Sequence, residues 1–185
     1  AGELRIEHVA ADGTVTVLKP SVPVQAGEVV DAAVMRVAAL RAFLAEQVAD
    51  AKAEGVLFSV HLKATMMKVS DPVLFGHAVQ TYFADVFARY GDELASVGAD
   101  PDNGVASLLT ALEKLPAGKR EAIEQAISAT YESGPGLAMV DSDRGITNLH
   151  VPSDIIIDAS MPAAIRSSGQ MWNAKGELQD TKFVI

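Results

Sequence analysis

Two apolar stretches end in groups that can do chemistry. Lys63 follows "VLFSVHL" (56–62) and Asp158 follows "DIII" (154–157). In open α/β sheets ligands bind outside the carboxyl ends of strands, so an ammonium and a carboxylate at two such ends are candidates for handling an anion and a cation. A strand-end lysine or aspartate is also where many chains simply meet water. Asp158 has a further reading. It precedes "ASMPAAIR", with Ser160 as a possible cap, and its carboxylate could bond the first N–H groups of that helix. The cap and the metal ligand both remain open on these grounds. His61 shares a strand face with Lys63, and it either orients that lysine or is merely packed.

Other constellations fail. His8, His61, His77 and His150 are scattered, without an i, i+4 pair or an HExxH, so zinc is not expected. "VDSDRGITN" (140–148) opens like a calcium loop but has Pro152 where a closing glutamate belongs, so a tight turn between strands is the better account. GxGxxG, Walker A and GxSxG motifs are absent from the sequence. Met66, Met67, Met139 and Met161 read as core fillers. The net charge of −9 argues against a nucleic-acid partner and leaves any bound anion dependent on local lysines or arginines. No run approaches the roughly 18 apolar residues of a membrane span. With no cysteine and no visible secretory signal, a cytoplasmic setting is expected.

The elements that must carry these groups follow from pattern. "LRIEHVAADGTVTVLKP" (4–20) is two alternating runs joined across Asp12-Gly13, a strong hairpin signal, with Pro20 and Pro23 expected to break the second strand. Apolar residues from Val30 to Val48 recur at helical spacing, which predicts one helix over 28–54 closed by Gly55. Val56 to Lys63 alternates as a strand whose Ser59–His61–Lys63 face turns polar. "SDP" (70–72) starts a helix with Ser70 or Asp71 as cap. Its stripe is Phe75, Val79, Phe83, Val86 and Tyr90, and Gly91 ends it. A helical excursion on the outside occupies 92–133, broken at 98–104 and Pro116. Strands at 137–140 and 154–158, a short helix to Gly169, a turn at Asn173–Gly176 and a strand near 181–185 complete the chain. The expected fold class is α/β, a mixed sheet flanked by helices, in a single domain over 1–185. Lacking an initial Met and stopping at "DTKFVI", the chain reads as a piece of a longer protein.

"HLKATMMKVSDPVLFGHAV" (61–79), "GPGLAMVDSDRGITNLHVPSDIIIDASMPAAIRSSGQMWN" (134–173) and "RIEHVAADGTVTVLK" (5–19) closely resemble the monomeric type of NADP-dependent isocitrate dehydrogenase. Residues 92–132 are the least distinctive part. Members of that family are much longer chains, so the resemblance implies an internal segment of the larger, duplicated domain. It implies an oxidoreductase that oxidises isocitrate with NADP and releases CO₂, aided by Mg²⁺ or Mn²⁺. Lys63 matches the family's catalytic lysine in "HLKATMMK", and Asp158 matches one metal-ligating aspartate in "DASMP". The catalytic tyrosine, the other metal aspartates and the NADP-binding residues fall outside this segment. Tyr82, Tyr90 and Tyr131 lie in no matching motif and take no such role. The isolated piece is therefore expected to be inactive, and surface that normally meets the remainder of the chain is expected to favour self-association. From a different class, a non-catalytic α/β interaction module is the alternative.

Overall fold

A computed structural model describes residues 1–184. The backbone falls into two compact units, Ala1–Met35 and Arg36–Ile185.

The first unit is a β-ribbon. Strands β1 (Gly2–Val9) and β2 (Val15–Val24) pair antiparallel across the Asp12-Gly13 turn, as the sequence predicts. Gly13 adopts φ +84°, a conformation costly for other residues, and Asp12 Oδ1 accepts the Thr14 N–H at 2.9 Å. Pro20 and Pro23 lie inside β2 rather than ending it. Register shifts beside Leu4 and Ile6 place extra β2 residues around Pro20 in a bulge, and a ribbon with two free edges tolerates a residue that has no N–H to donate.

The helix expected from Glu28 begins instead at Val37. Residues 25–36 form no regular element, and Val29, Val30 and Val34 are exposed. A helix there would have no apolar contact to offset its nucleation, and neither Arg36 nor its neighbours supply a capping bond.

In the second unit, α1 (Val37–Glu54) ends at Gly55 and feeds β3 (Leu57–Val60). All four β3 residues, Ser59 among them, are buried, as is His61, so the first two members of the face expected to turn polar lie in the interior. Strand β6 (Gln170–Trp172) pairs antiparallel with β7 (Leu178–Val184), and β7 pairs parallel with β3. This is a mixed sheet of order β3-β7-β6, in accord with the α/β expectation. The other edge of β3 is closed too. Phe58 exchanges main-chain bonds with Gly136 and Ala138, while the Asn148 amide accepts the Val60 N–H and donates to the Val60 C=O at 2.7 Å. Asn148, 1% exposed, thus stands in for a neighbouring strand.

The helix after β3 is two helices. α2 (Ser70–Tyr82) breaks at Phe83, and α3 (Ala84–Ser96) runs past Gly91 with Tyr90 off the helical conformation. Phe75, Val79, Phe83 and Val86 are buried as the stripe predicts; Tyr90 is half-buried. A 3-10 turn at Pro101–Asn103 leads to α4 (Gly104–Leu112), and α5 (Ala117–Ser133) follows Pro116. These helices are not merely an outer excursion, because Leu108, Leu112, Ile123 and Ile127 lie in the same core as Phe58 and Phe75. The predicted turn at 140–148 joins β4 (Met139–Asp141) to β5 (Ile146–Thr147). Residues 154–158 are not a strand. Leu62 and Ile156 form one bridge, and α6 (Ile157–Arg166) starts at once.

Candidate functional site

Lys63 lies just beyond β3, in a turn where its C=O accepts the N–H groups of Met66 and Met67. Those two methionines are exposed rather than core-filling, whereas Met139 is buried. Asp71, in the first turn of α2, anchors Lys63 from one side: its Oδ2 accepts the Lys63 N–H at 2.8 Å and its Oδ1 accepts the Ser70 hydroxyl at 3.0 Å. Ser70 or Asp71 is the cap the sequence suggests, but both lie inside α2. Val69 precedes that helix instead, and the buried carboxylate is spent on the strand end.

From the other side comes α6. Asp158 sits in its first turn rather than at a strand end, and Asp158 Oδ2 meets Lys63 Nζ at 2.6 Å. The two groups singled out in the sequence therefore touch. The capping alternative is not realised, since Ile156 is the residue before the helix and Ser160 turns its hydroxyl back to the Ile156 C=O. The Lys63 and Asp158 side chains are 35% and 59% exposed, so a small polar molecule or ion can reach both. Carboxylates in a helix's first turn interact favourably with the N-terminal dipole, and Asp158 occupies such a position.

Behind this pair lies His61, 0% exposed. Nδ1 is 2.7 Å from Ser160 Oγ and Nε2 is 2.7 Å from Ser59 Oγ, with the Phe183 ring tilted over it at 5.1 Å. Ser160 donates its proton to Ile156 C=O at 2.9 Å, so it accepts from Nδ1–H, and Nε2 accepts from Ser59. Burial pushes the His61 pKa down to about 4, which keeps the ring neutral. The sequence marks Asp71 and Ser160 only as possible caps and Ser59 only as a face residue; their bonds to Lys63 and His61 were missed. The available signal was a histidine inside an otherwise apolar strand, since a buried imidazole requires two partners.

Other expected positions serve structure. His77 is half-buried on α2 and accepts from Arg41 Nε at 3.3 Å. Asp141 Oδ1 accepts the Arg144 N–H in the tight turn that resembled a calcium loop. Tyr82 donates to Pro135 C=O at 2.7 Å, and burial raises its pKa far above the ordinary phenol value, which suits no proton-transfer role. Among the described residues no group of three or more His, Asp or Glu side chains is placed to hold a metal, and no helix is long and apolar enough to cross a membrane. A cleft of about 520 Å³ beside Tyr82, Tyr131, Leu137 and Lys175 includes neither Lys63 nor Asp158.

The profile of the family described as monomeric isocitrate dehydrogenase matches residues 1–185. The chain belongs to the monomeric isocitrate dehydrogenase family. It is 60% identical over 185 residues to the isocitrate dehydrogenase [NADP] of Corynebacterium glutamicum, and 53% identical over 184 residues to that of Azotobacter vinelandii. Isocitrate dehydrogenase [NADP] 2 of Mycobacterium tuberculosis is 48% identical over 184 residues. Each match covers 100% of this chain and 25% of the relative, so the chain spans about a quarter of the length of these relatives.

Proposed function

We propose that this chain is a segment of an NADP-dependent isocitrate dehydrogenase, converting isocitrate to 2-oxoglutarate and CO₂, and that Lys63 and Asp158 are its contribution to the reaction. The carrying observation is the 2.6 Å contact of Lys63 Nζ with Asp158 Oδ2 in a chain of this family. The names of its relatives support the activity.

When bound, NADP takes up the hydride lost from the substrate's alcohol carbon, and a divalent cation, Mg²⁺ or Mn²⁺, stabilises negative charge on substrate oxygens. Asp158 fits such a cation as a single ligand, being a hard oxygen donor and largely exposed. It does not suffice alone, because Asp158 belongs to no group of three or more His, Asp or Glu side chains placed to hold a metal among the described residues. The remaining ligands come from substrate, water and chain outside this segment, as do the NADP contacts.

Lys63 has two tasks. Its Nζ moves a proton to or from the substrate, and its charge holds the anionic substrate against the net −9 of the chain. The Asp71 bond to the Lys63 main chain makes the strand end a firm mount for that side chain. Cysteine-free composition suits a reducing cytoplasm, where we place the enzyme.

The test is NADPH formation by the full-length enzyme carrying this segment. Lys63→Met, shown by circular dichroism to be folded, is expected to lower kcat by roughly 10² or more. Asp158→Asn is expected to shift metal dependence to much higher concentration. Wild-type behaviour in both variants would remove both residues from the mechanism. The 185-residue chain alone is expected to form no NADPH, and detectable turnover would refute that part.

A further inference from the structure

We propose that Ser160, acting through His61, is a positioning residue that sets the placement of Asp158 against Lys63; this rests on the functional reading above. Three consecutive residues leave β3 and grip the start of α6. The His61 ring bonds Ser160, the Leu62 C=O accepts the Ile157 N–H at 3.1 Å, and the Lys63 ammonium meets Asp158. At 3.6 residues per turn, Asp158 and Ser160 project on opposite sides of Ile157. The main-chain bond at Ile157 is thus a central tie about which α6 could roll, and the His61–Ser160 bond pins the side away from Asp158. Removing that pin frees the roll, and Asp158 sits where the motion is felt.

The pin is rigid for chemical reasons. Every polar atom in it has one role: Ser160 donates to Ile156, His61 Nδ1 donates to Ser160, and Ser59 donates to His61 Nε2. The ring is fully buried between these hydroxyls and Phe183, so loss of either bond would leave a buried nitrogen without its partner. The Ser160 hydroxyl bonds His61 and Ile156 rather than Lys63 or Asp158, which makes its effect indirect.

The experiment uses the full-length enzyme with Ser160→Ala, Ser160→Thr, Lys63→Met and the Lys63→Met/Ser160→Ala double variant. A sub-ångström to ångström displacement at a reacting group lowers turnover steeply, so Ser160→Ala is expected to lose roughly tenfold or more in kcat. Ser160→Thr keeps the hydroxyl and is expected to restore most of the rate. In the Lys63→Met background Ser160→Ala is expected to add little, because the two act as one unit. A readout independent of turnover is Mn²⁺ binding in the presence of isocitrate, followed by water-proton relaxation; it is expected to weaken in Ser160→Ala and recover in Ser160→Thr.

Unchanged kcat and Mn²⁺ binding in Ser160→Ala, with Lys63→Met impaired, overturns the positioning role and leaves the functional reading intact. An equal loss from Ser160→Ala in both backgrounds, without rescue by threonine, assigns Ser160 a purely structural part and also overturns it. Full activity of Lys63→Met sinks the functional reading itself.

Discussion

Lys63 Nζ and Asp158 Oδ2 are 2.6 Å apart, yet both side chains keep substantial contact with solvent. An ion pair in that setting contributes about 0–1 kcal/mol, too little to explain its construction from α2, β3 and α6 together. Replacing Lys63 by Met or Asp158 by Asn is therefore expected to change unfolding free energy by no more than about 1 kcal/mol. Equilibrium urea denaturation checks this alongside the kinetics, and a large destabilisation would recast the pair as structural.

Stability is expected to fall with acidification through His61. Its pKa is about 4 in the folded chain against an ordinary 6.5, so the unfolded chain takes up the proton more readily. The contribution is present in full above 6.5 and is lost as pH falls towards 4. Between about pH 7.5 and pH 5 the loss from this group is about 2 kcal/mol. Denaturation midpoints across that range, compared with a folded His61→Gln variant, measure it; an equal slope in the variant would place the dependence elsewhere.

Asn148 is expected to be more sensitive than its chemistry suggests. Asn148→Leu strips partners from both the N–H and the C=O of Val60, at a buried strand edge. The loss is expected to be about 2 kcal/mol or more, read as a lower urea midpoint. Hydrogen exchange at Val60 should accelerate with it.

Gly104 and Gly118 should part company when changed to alanine. Gly104 has φ +81°, and a Cβ there would lie 2.2 Å from the His150 carbonyl oxygen, which accepts from α4. Gly118 has open space and an ordinary helical setting in α5. Gly104→Ala is expected to lose about 2 kcal/mol or more, and Gly118→Ala to be neutral or to gain up to about 1 kcal/mol. Melting temperatures decide it.

The sequence carried the local parts of this structure well. Asp12-Gly13 announces its turn because few residues accept the required backbone, and the spacing of Phe75, Val79, Phe83 and Val86 marks the buried face of α2 and α3. What it concealed depends on distant partners. "DIIID" has a strand's composition, yet Ile157 begins a helix because the chain there is held by Leu62 rather than by a neighbouring strand. Valines 30 and 34 have helical spacing but nothing to pack upon. Lys63 and Asp158 were legible as chemical groups through their motifs. Their contact, and the Ser160–His61 bond behind it, joins residues as much as 99 positions apart, which no local pattern encodes.

The parallel pairing of β3 with β7 also governs how the chain reaches its fold. Leu57 to Val60 is the most thoroughly buried strand, and its partners Thr181 to Val184 are made last in this segment. At ribosomal elongation rates the strand emerges with one edge unclaimed for roughly 10 s before its partner exists. Pairing across so long a loop is slow as well. During that interval a bare apolar strand edge is exposed to wrong pairing, and Gly136–Ala138, which is synthesised earlier, can cover the opposite edge first.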